Sequence, residues 1–332
     1  MLHRLPSLQE DARFRLGIDL GGTNIKVGLL DENQQILAHG TRKTLAQRHW
    51  KEVADDMIAC AREVMEQAGC GPRDCRGIGI GSPGTVDSRN GIVLYSNNFN
   101  GWENIPLRAY IEEKMGVPVR ISNDANCAAL GEAMAGAGRD YQDVVLITLG
   151  TGIGSGIVLN GTIFEGGSPG GAELGHTLLV QDGERCTCGR KGCWEAYASA
   201  TALIREGKKA ARRAPESLLN RLCDGEPEHM NGWIPFSAAR SGDPAAKQVV
   251  DRYIRCLAEG LVNVVNIFRP QVILLSGGIC GQGEYLTAPL NERIRQDSFA
   301  GKWAAVPEVR IAALGNDAGM VGAANLFAAD GS

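Results

Sequence analysis

Three cysteines, Cys186, Cys188 and Cys193, fall within one short stretch, and His176 lies a hairpin's length upstream. Thiolates with one imidazole form the ligand set that tetrahedral zinc takes in a closed structural site. Two carboxylates, Glu173 and Glu195, bracket the cluster in Ala172–Glu195, AELGHTLLVQDGERCTCGRKGCWE. A structural metal flanked by carboxylates points to a metal that holds a chemical site in shape without reacting itself.

Three glycine turns and one further carboxylate extend this chemistry. Asp19-Leu20-Gly21-Gly22-Thr23 and Gly150-Thr151-Gly152 both follow apolar runs. Such turns let backbone N–H groups approach phosphate oxygens, and the threonine hydroxyl adds a donor. Either turn alone reads as an ordinary hairpin, but two at matching places in a repeat point to phosphate binding. Gly277-Gly278 also follows a buried run and offers bare backbone against which an adenine ring can pack. Asp124 stands where a strand gives way to a helix. Phosphoryl transfer to an alcohol needs a carboxylate that accepts the hydroxyl proton. The competing reading is a helix N-cap, where Asp is favoured. The two phosphate-type turns tip the balance to the base. A dinucleotide fold is a poorer explanation, because each turn leads into a strand whereas that fingerprint opens a helix, and a P-loop fails because no G-K-[ST] occurs.

The elements that must position these residues repeat. Strands are expected at Phe14 to Asp19, Lys26 to Leu30 and Gln35 to Gly40, with the first glycine turn between the leading pair. A helix with one apolar face follows over Trp50 to Ala68. Strands at Gly77 to Ile80 and Val117 to Ile121, with a Pro-initiated helix at Pro106 to Met115 between them, lead to a helix at Ala125 to Ala137. The opening pattern then returns: strands at Val144 to Leu149, Ser155 to Leu159 and Thr162 to Phe164 surround the second glycine turn. Helices at Ala198 to Arg213 and Pro244 to Phe268, strands at Gln271 to Leu275 and Val309 to Leu314, and a helix at Asp317 to Ala328 complete the chain. The recurrence is that of duplicated domains, with the cysteine segment inserted in the second copy and a site between the copies, where glycine turns meet.

Composition sets the outer limits. The chain has 332 residues, 44% apolar and 22% charged, which suits two ordinary globular domains. A net charge of −4 leaves no basic face for nucleic acid. The N-terminal segment lacks the apolar core of a secretory signal, so the ten cysteines belong to a reducing, cytoplasmic setting where clustering means metal and scattering means packing. Val144 to Phe164 carries no charge, yet its recurrent glycines make it soluble strands around a turn and no membrane span.

The set Asp19-Leu-Gly-Gly-Thr-Asn, Asn123-Asp124, Leu149-Gly-Thr-Gly-Ile-Gly, Glu173-Leu-Gly-His176 and Cys186-Thr-Cys-Gly-Arg-Lys-Gly-Cys-Trp-Glu195 resembles the ROK family of sugar kinases and repressors, and within it the ATP-dependent glucokinases of bacteria. The closing LGNDAGMVGAANL is similar as well, so the resemblance runs from about Leu16 to Phe327. It implies an α/β, two-lobed actin-like ATPase (ribonuclease H-like) fold, with mixed-sheet lobes, an inter-lobe cleft and a zinc-binding insertion. The first lobe would span 14–123 with the closing helix 317–328, and the second 124–316. The resemblance implies Asp124 as the base that activates a sugar 6-hydroxyl, with Gly84, Asn123, Glu173, His176 and Glu195 beside it at the sugar. It places ATP and Mg²⁺ at Asp19, Gly21, Gly22, Thr23, Asn24 and Lys26, at Thr151 and Gly152, and at Gly277 and Gly278. His176, Cys186, Cys188 and Cys193 would bind structural Zn²⁺. A zinc-ligating histidine must present its other nitrogen as N–H, which makes His176 a donor beside two acceptor carboxylates and suits vicinal hydroxyls. Homodimers or homotetramers are implied too.

The rival readings are a kinase for another hexose (N-acetylmannosamine, allose or mannose), a DNA-binding repressor and a non-catalytic sugar sensor. Some fifteen residues precede the first strand, too few for a helix-turn-helix reader, and an intact Asp124 argues against the sensor.

Overall fold

The computed structural model describes residues 12–328. The readings made of the N-terminal segment, concerning a secretory leader and a DNA reader, fall largely outside the described residues. In chain order, β1 (Phe14–Leu20), β2 (Asn24–Leu30) and β3 (Ile36–Lys43) lead to helix α1 (Trp50–Gln67) and β4 (Cys75–Ser82). Three short strands follow, β5 (Thr85–Asp87), β6 (Ile92–Tyr95) and β7 (Glu103–Ile105), and then α2 (Leu107–Met115), β8 (Val119–Asn123) and α3 (Asp124–Ala135). The pattern resumes with β9 (Val144–Leu149), β10 (Ile153–Leu159) and β11 (Thr162–Ile163). Beyond the cysteine segment come α4 (Glu195–Ala198), α5 (Ala200–Arg213), α6 (Leu218–Leu222), α7 (Ile234–Arg240) and α8 (Pro244–Phe268). The chain closes with β12 (Val272–Ser276), α9 (Glu284–Asp297), β13 (Glu308–Ile311) and α10 (Ala318–Ala324).

The repeat read from the glycine turns is visible in the topology. One five-stranded sheet has the order β3-β2-β1-β4-β8 and the other β11-β10-β9-β12-β13. In the first, β1, β2 and β3 pair antiparallel while β4 and β8 join in parallel. In the second, β10 and β11 are antiparallel and β12 and β13 parallel. Both sheets are thus mixed, as an α/β fold of this kind requires.

Strand alternation decides what covers each face of the first sheet. Leu16, Ile18 and Leu20 on β1, with Ile25, Val27 and Leu29 on β2, join Val53, Met57 and Val64 of α1 in one apolar core. The opposite face is floored by glycine. A Cβ on Gly17 would lie 1.9 Å from the Met320 carbonyl oxygen, and one on Gly79 would lie 1.7 Å from that of Ala323. Helix α10 therefore rests its backbone on the sheet, a distance no side chain permits. It meets α3 in the same way: a Cβ on Gly131 would sit 2.3 Å from Ala318 O, and one on Gly322 1.5 Å from Cys127 O.

These contacts set the compact units. Among the described residues, one unit comprises 12–146, Gly156–Ala172 and 313–328; the other comprises Ile147–Ser155 and Glu173–Ala312. Helix α3, expected at the head of the second lobe, belongs with the first, because its glycine-mediated packing on α10 ties it to that sheet. Glu132 adds to this tie. It is wholly buried, and its carboxylate accepts backbone N–H groups from Ala137, Ala313 and Leu314 at 2.7–3.0 Å. Capturing those amides also explains why β13 ends at Ile311 and not at Leu314.

Besides the short helices α6 and α7, two features were not expected from sequence. The strands β5, β6 and β7 form a separate three-stranded sheet, and α9 carries Pro289 inside it, which masks its helical pattern. The glycine floor makes a direct test. Gly79→Ala should destabilise the protein by about 3 kcal/mol, since backbone must move to admit the methyl. Gly281→Ala, where nothing lies within 4 Å, should change stability by less than about 0.5 kcal/mol in urea unfolding.

Candidate functional site

In the first unit, the alternation that points Gly17 at α10 sends Asp19 the same way. A Cβ on Gly319 would fall 2.9 Å from the Asp19 carboxyl carbon, so the start of α10 closes on that carboxylate. The turn after it is tight: Gly21 N–H donates to Asn24 O at 3.0 Å, and the buried Thr44 hydroxyl braces it by donating to Gly21 O at 2.7 Å. Thr44 N–H donates to Thr23 O at 3.0 Å. Lys26 reaches Asn316 O at 2.8 Å. The brace at Thr44 lies twenty residues past the motif and left no signal in the sequence.

Asn123 and Asp124 divide the work at the start of α3. Asn123 is the N-cap, and its side-chain oxygen accepts from Ala125 N at 2.9 Å and Asn126 N at 3.4 Å. Its amide nitrogen donates to Gly84 O at 3.1 Å, which fixes that orientation. Gly84 has φ +98 and stands where a Cβ would meet Tyr95 O at 2.2 Å. Asp124 is thereby released from the capping duty that was its alternative reading. One of its oxygens accepts the Ala125 N–H at 2.9 Å.

Burial raises the cost of ionising both carboxylates. Burial pushes Asp19 up to about 6, the negative charge of Asp124 adds to this, and Lys26 opposes it. Burial also raises Asp124, against the pull of backbone N–H groups and the Asn123 amide. A pair of this kind is a natural setting for a cation beside one carboxylate and proton transfer at the other.

The same unit holds a cavity of about 580 Å³ lined by Gln47, Tyr95, Ser96, Asn97, Asn98 and Glu103 among others. Asn98 stands beside the first turn, its amide nitrogen 3.5 Å from where a Gly22 Cβ would be. The motif NNFNGW reads from sequence as a loop, and its position against the glycine turn becomes visible in the fold.

In the second unit, Gly150 N–H donates to Gly152 O at 3.0 Å, which leaves Thr151 exposed at the tip. Ala200 N–H, at the start of α5, holds Gly150 O at 2.9 Å, and the Thr148 hydroxyl accepts from Gly154 N at 3.2 Å. Gly277, at φ +107, would bring a Cβ to 2.3 Å from Leu149 O, while the space above Gly278 is open. The two glycines read as an adenosine platform therefore have separate tasks, one packing and one exposed.

The segment Glu173-Leu174-Gly175-His176 is a turn of 3₁₀ helix pressed on β10. A Cβ on Gly175 would lie 2.2 Å from Ile153 O, and Leu174 N–H donates to the Ser155 hydroxyl at 3.0 Å. Glu173 is exposed, and His176 is half-buried. Downstream, the knuckle is closed by Cys186 N–H to Arg190 O at 2.8 Å and Gly189 N–H to Cys186 O at 3.1 Å. Trp194 anchors it. This side chain is 1% exposed, donates to Cys256 O at 2.9 Å and fills the gap left by Gly260 on α8.

One ligand atom from each of His176, Cys186, Cys188 and Cys193 lies within 4.8 Å of the others. Zinc–sulfur bonds of about 2.3 Å in a tetrahedron put sulfurs about 3.8 Å apart, and a mixed nitrogen–sulfur edge is about 3.6 Å. Cys188 Sγ and Cys193 Sγ stand 3.7 Å apart, and His176 Nδ1 stands 3.6 Å from Cys186 Sγ. The four residues fit such an ion without rearrangement. Nδ1 faces the thiols, so Nε2 is the nitrogen left for another partner.

The ROK family profile matches residues 15–330. The chain is 39% identical over 315 residues to a glucokinase of Thermotoga maritima, covering 94% of this chain and 96% of that protein. It superposes on the crystal structure of a ROK family glucokinase from Streptomyces griseus in complex with glucose and AMPPNP at TM-score 0.77, with 36% identity and 94% and 98% of the two chains covered. A xylose repressor of Caldicellulosiruptor bescii is similar as well, at 28% identity over 90% of this chain and 74% of the repressor. Family profile, identity and fold agree, and the chain belongs to the ROK family.

Proposed function

We propose that this chain is an ATP-dependent hexose kinase that phosphorylates glucose at its 6-hydroxyl, giving glucose 6-phosphate and ADP. The observation that carries this reading is the division of labour at α3: Asn123 caps the helix, and Asp124 keeps a carboxylate raised by burial. A base works best when its pKa approaches the working pH. The similarity to proteins named glucokinases favours glucose among the hexoses.

The residues proposed for ATP are Asp19, Gly21, Gly22, Thr23, Asn24 and Lys26, together with Thr151, Gly152, Gly277 and Gly278. Turn N–H groups would hold phosphate oxygens, and Asp19 would be the carboxylate that holds the Mg²⁺ accompanying ATP. The residues proposed for the sugar are Gly84, Asn123, Asp124, Glu173, His176 and Glu195. The sugar O6 attacks the γ-phosphorus while its proton passes to Asp124, and the bond to the β–γ bridging oxygen breaks to release ADP. Zinc on His176, Cys186, Cys188 and Cys193 would supply structure only. With Nδ1 taken up by that ion, His176 would carry its proton on Nε2 and would donate it to a sugar oxygen.

A panel of sugars with ATP, followed by coupled spectrophotometry, tests the substrate. Glucose should give the highest kcat/KM, and turnover of N-acetylmannosamine, allose or mannose with glucose inert would overturn the choice. A protein that binds sugar and turns over none of them would be a sensor of the repressor type. Asp124→Asn should lower kcat by about 10²–10⁴ while sugar affinity changes only a few-fold; near-normal turnover would refute the base. Asp19 sets a pH dependence. Its folded pKa is raised, so the stability it confers is complete below its ordinary value of about 4 and is lost as pH rises through about 6. In ligand-free protein the stability of wild type relative to Asp19→Asn should therefore fall across that window, measured by thermal unfolding.

A further inference from the structure

The assignment of Glu195 to the sugar leaves most of its hydrogen bonding unexplained. One carboxylate oxygen, Oε2, accepts the backbone N–H of Ile153 at 2.9 Å, the residue that follows the Gly150–Gly152 turn. That turn is pressed against the same oxygen: a Cβ on Gly152 would lie 2.0 Å from it. The other oxygen faces the knuckle. Oε1 accepts the Thr187 hydroxyl at 3.1 Å and lies 3.4 Å from Cys186 Sγ. Glu195 is also the first residue of α4, directly after the anchored Trp194, so its backbone cannot drift. A single half-buried carboxylate thus joins the cysteine–histidine cluster to the turn read as phosphate-binding.

We propose that Glu195 is a positioning residue for the nucleotide: it holds the Gly150–Gly152 turn in the shape that presents its N–H groups to the triphosphate. Through Glu195, the order of the metal cluster reaches the nucleotide as well as the sugar. The proposal rests on the kinase reading, since it takes this turn to bind phosphate. Glycine at 152 follows from it, because any side chain would displace the carboxylate that fixes the turn. Glutamine at 195 can keep the bridge, with its amide oxygen accepting from Ile153 N–H and its amide nitrogen donating to the Thr187 oxygen.

The test measures binding of AMPPNP with Mg²⁺, in the absence of sugar, by titration calorimetry of the full chain. Losing a charge-assisted bond at the turn should weaken AMPPNP binding to Glu195→Ala about tenfold, with zinc content per chain unchanged by metal analysis. Glu195→Gln should restore affinity to within about threefold of wild type. Removing zinc from wild-type protein with a chelator should weaken AMPPNP by a similar factor, and removing it from Glu195→Ala should add little, which is the coupling a bridge demands. Gly152→Ala, altering the contact from the turn's side, should weaken AMPPNP too. Wild-type affinity in a folded Glu195→Ala that has lost only sugar binding would overturn the proposal and leave Glu195 a sugar ligand. Wild-type protein that fails to bind AMPPNP would overturn the kinase reading, and the proposal with it.

Discussion

The close approach of helix α10 to the first sheet is the constraint on which the site in that unit depends. Carbonyl oxygens of Met320 and Ala323 occupy the places where Cβ atoms of Gly17 and Gly79 would stand. Contacts this close gain dispersion over the whole helix face and leave no freedom to slide. They also set where charge can sit. Asp19 follows Gly17 on the same strand face and meets the first turn of α10 at Gly319, while α3, clamped to α10 through Gly131 and Gly322, carries Asp124. The two carboxylates feel one another because glycine lets three backbones converge.

The second unit solves a similar problem with different means. Its knuckle is too short to have a core of its own, so Trp194 is driven into the gap above Gly260 and Tyr197 accepts the Glu184 N–H at 2.6 Å. Thiols that fit a tetrahedral ion close the far side. The Glu173–His176 turn is held from the other direction by the absence of a side chain at Gly175 and by the Ser155 hydroxyl. The turn is therefore fixed against β10, the strand that also follows the second glycine turn.

Much of this was legible in the residues because it depends on local rules. The glycine turns, the strand repeat and the boundaries of α8 follow from periodicity and punctuation, and the spacing of Cys186, Cys188 and Cys193 carries its own chemistry. What escaped was set by distant neighbours. Gly77 and Gly79 read as part of a buried strand, with nothing local to say that a C-terminal helix would use the space they leave. Helix α9 was hidden by Pro289, tolerated because tertiary packing buries Leu286, Leu290 and Ile294 along one face. The domain boundary drawn at Asp124 followed the sequence repeat, whereas the compact units follow contacts, and Glu132 with three captured amides holds α3 to the first unit.

The ambiguity at Asp124 shows how such limits are overcome. An acidic residue at a helix start satisfies the preferences of a cap and of a base alike, and sequence alone weighs them by context. Geometry separates them, because a helix end needs one cap and Asn123 already accepts two of the free N–H groups. A carboxylate that is not needed for the helix, yet is kept in a crowded position beside a second raised carboxylate, costs stability in the ligand-free protein. Folding alone gives no reason to retain it, since an apolar residue at the first helical position would relieve the repulsion. On the proposed reading the reason is chemical: a cation and a sugar hydroxyl would each take one of the two carboxylates, and the cost of burying both would be offset on binding.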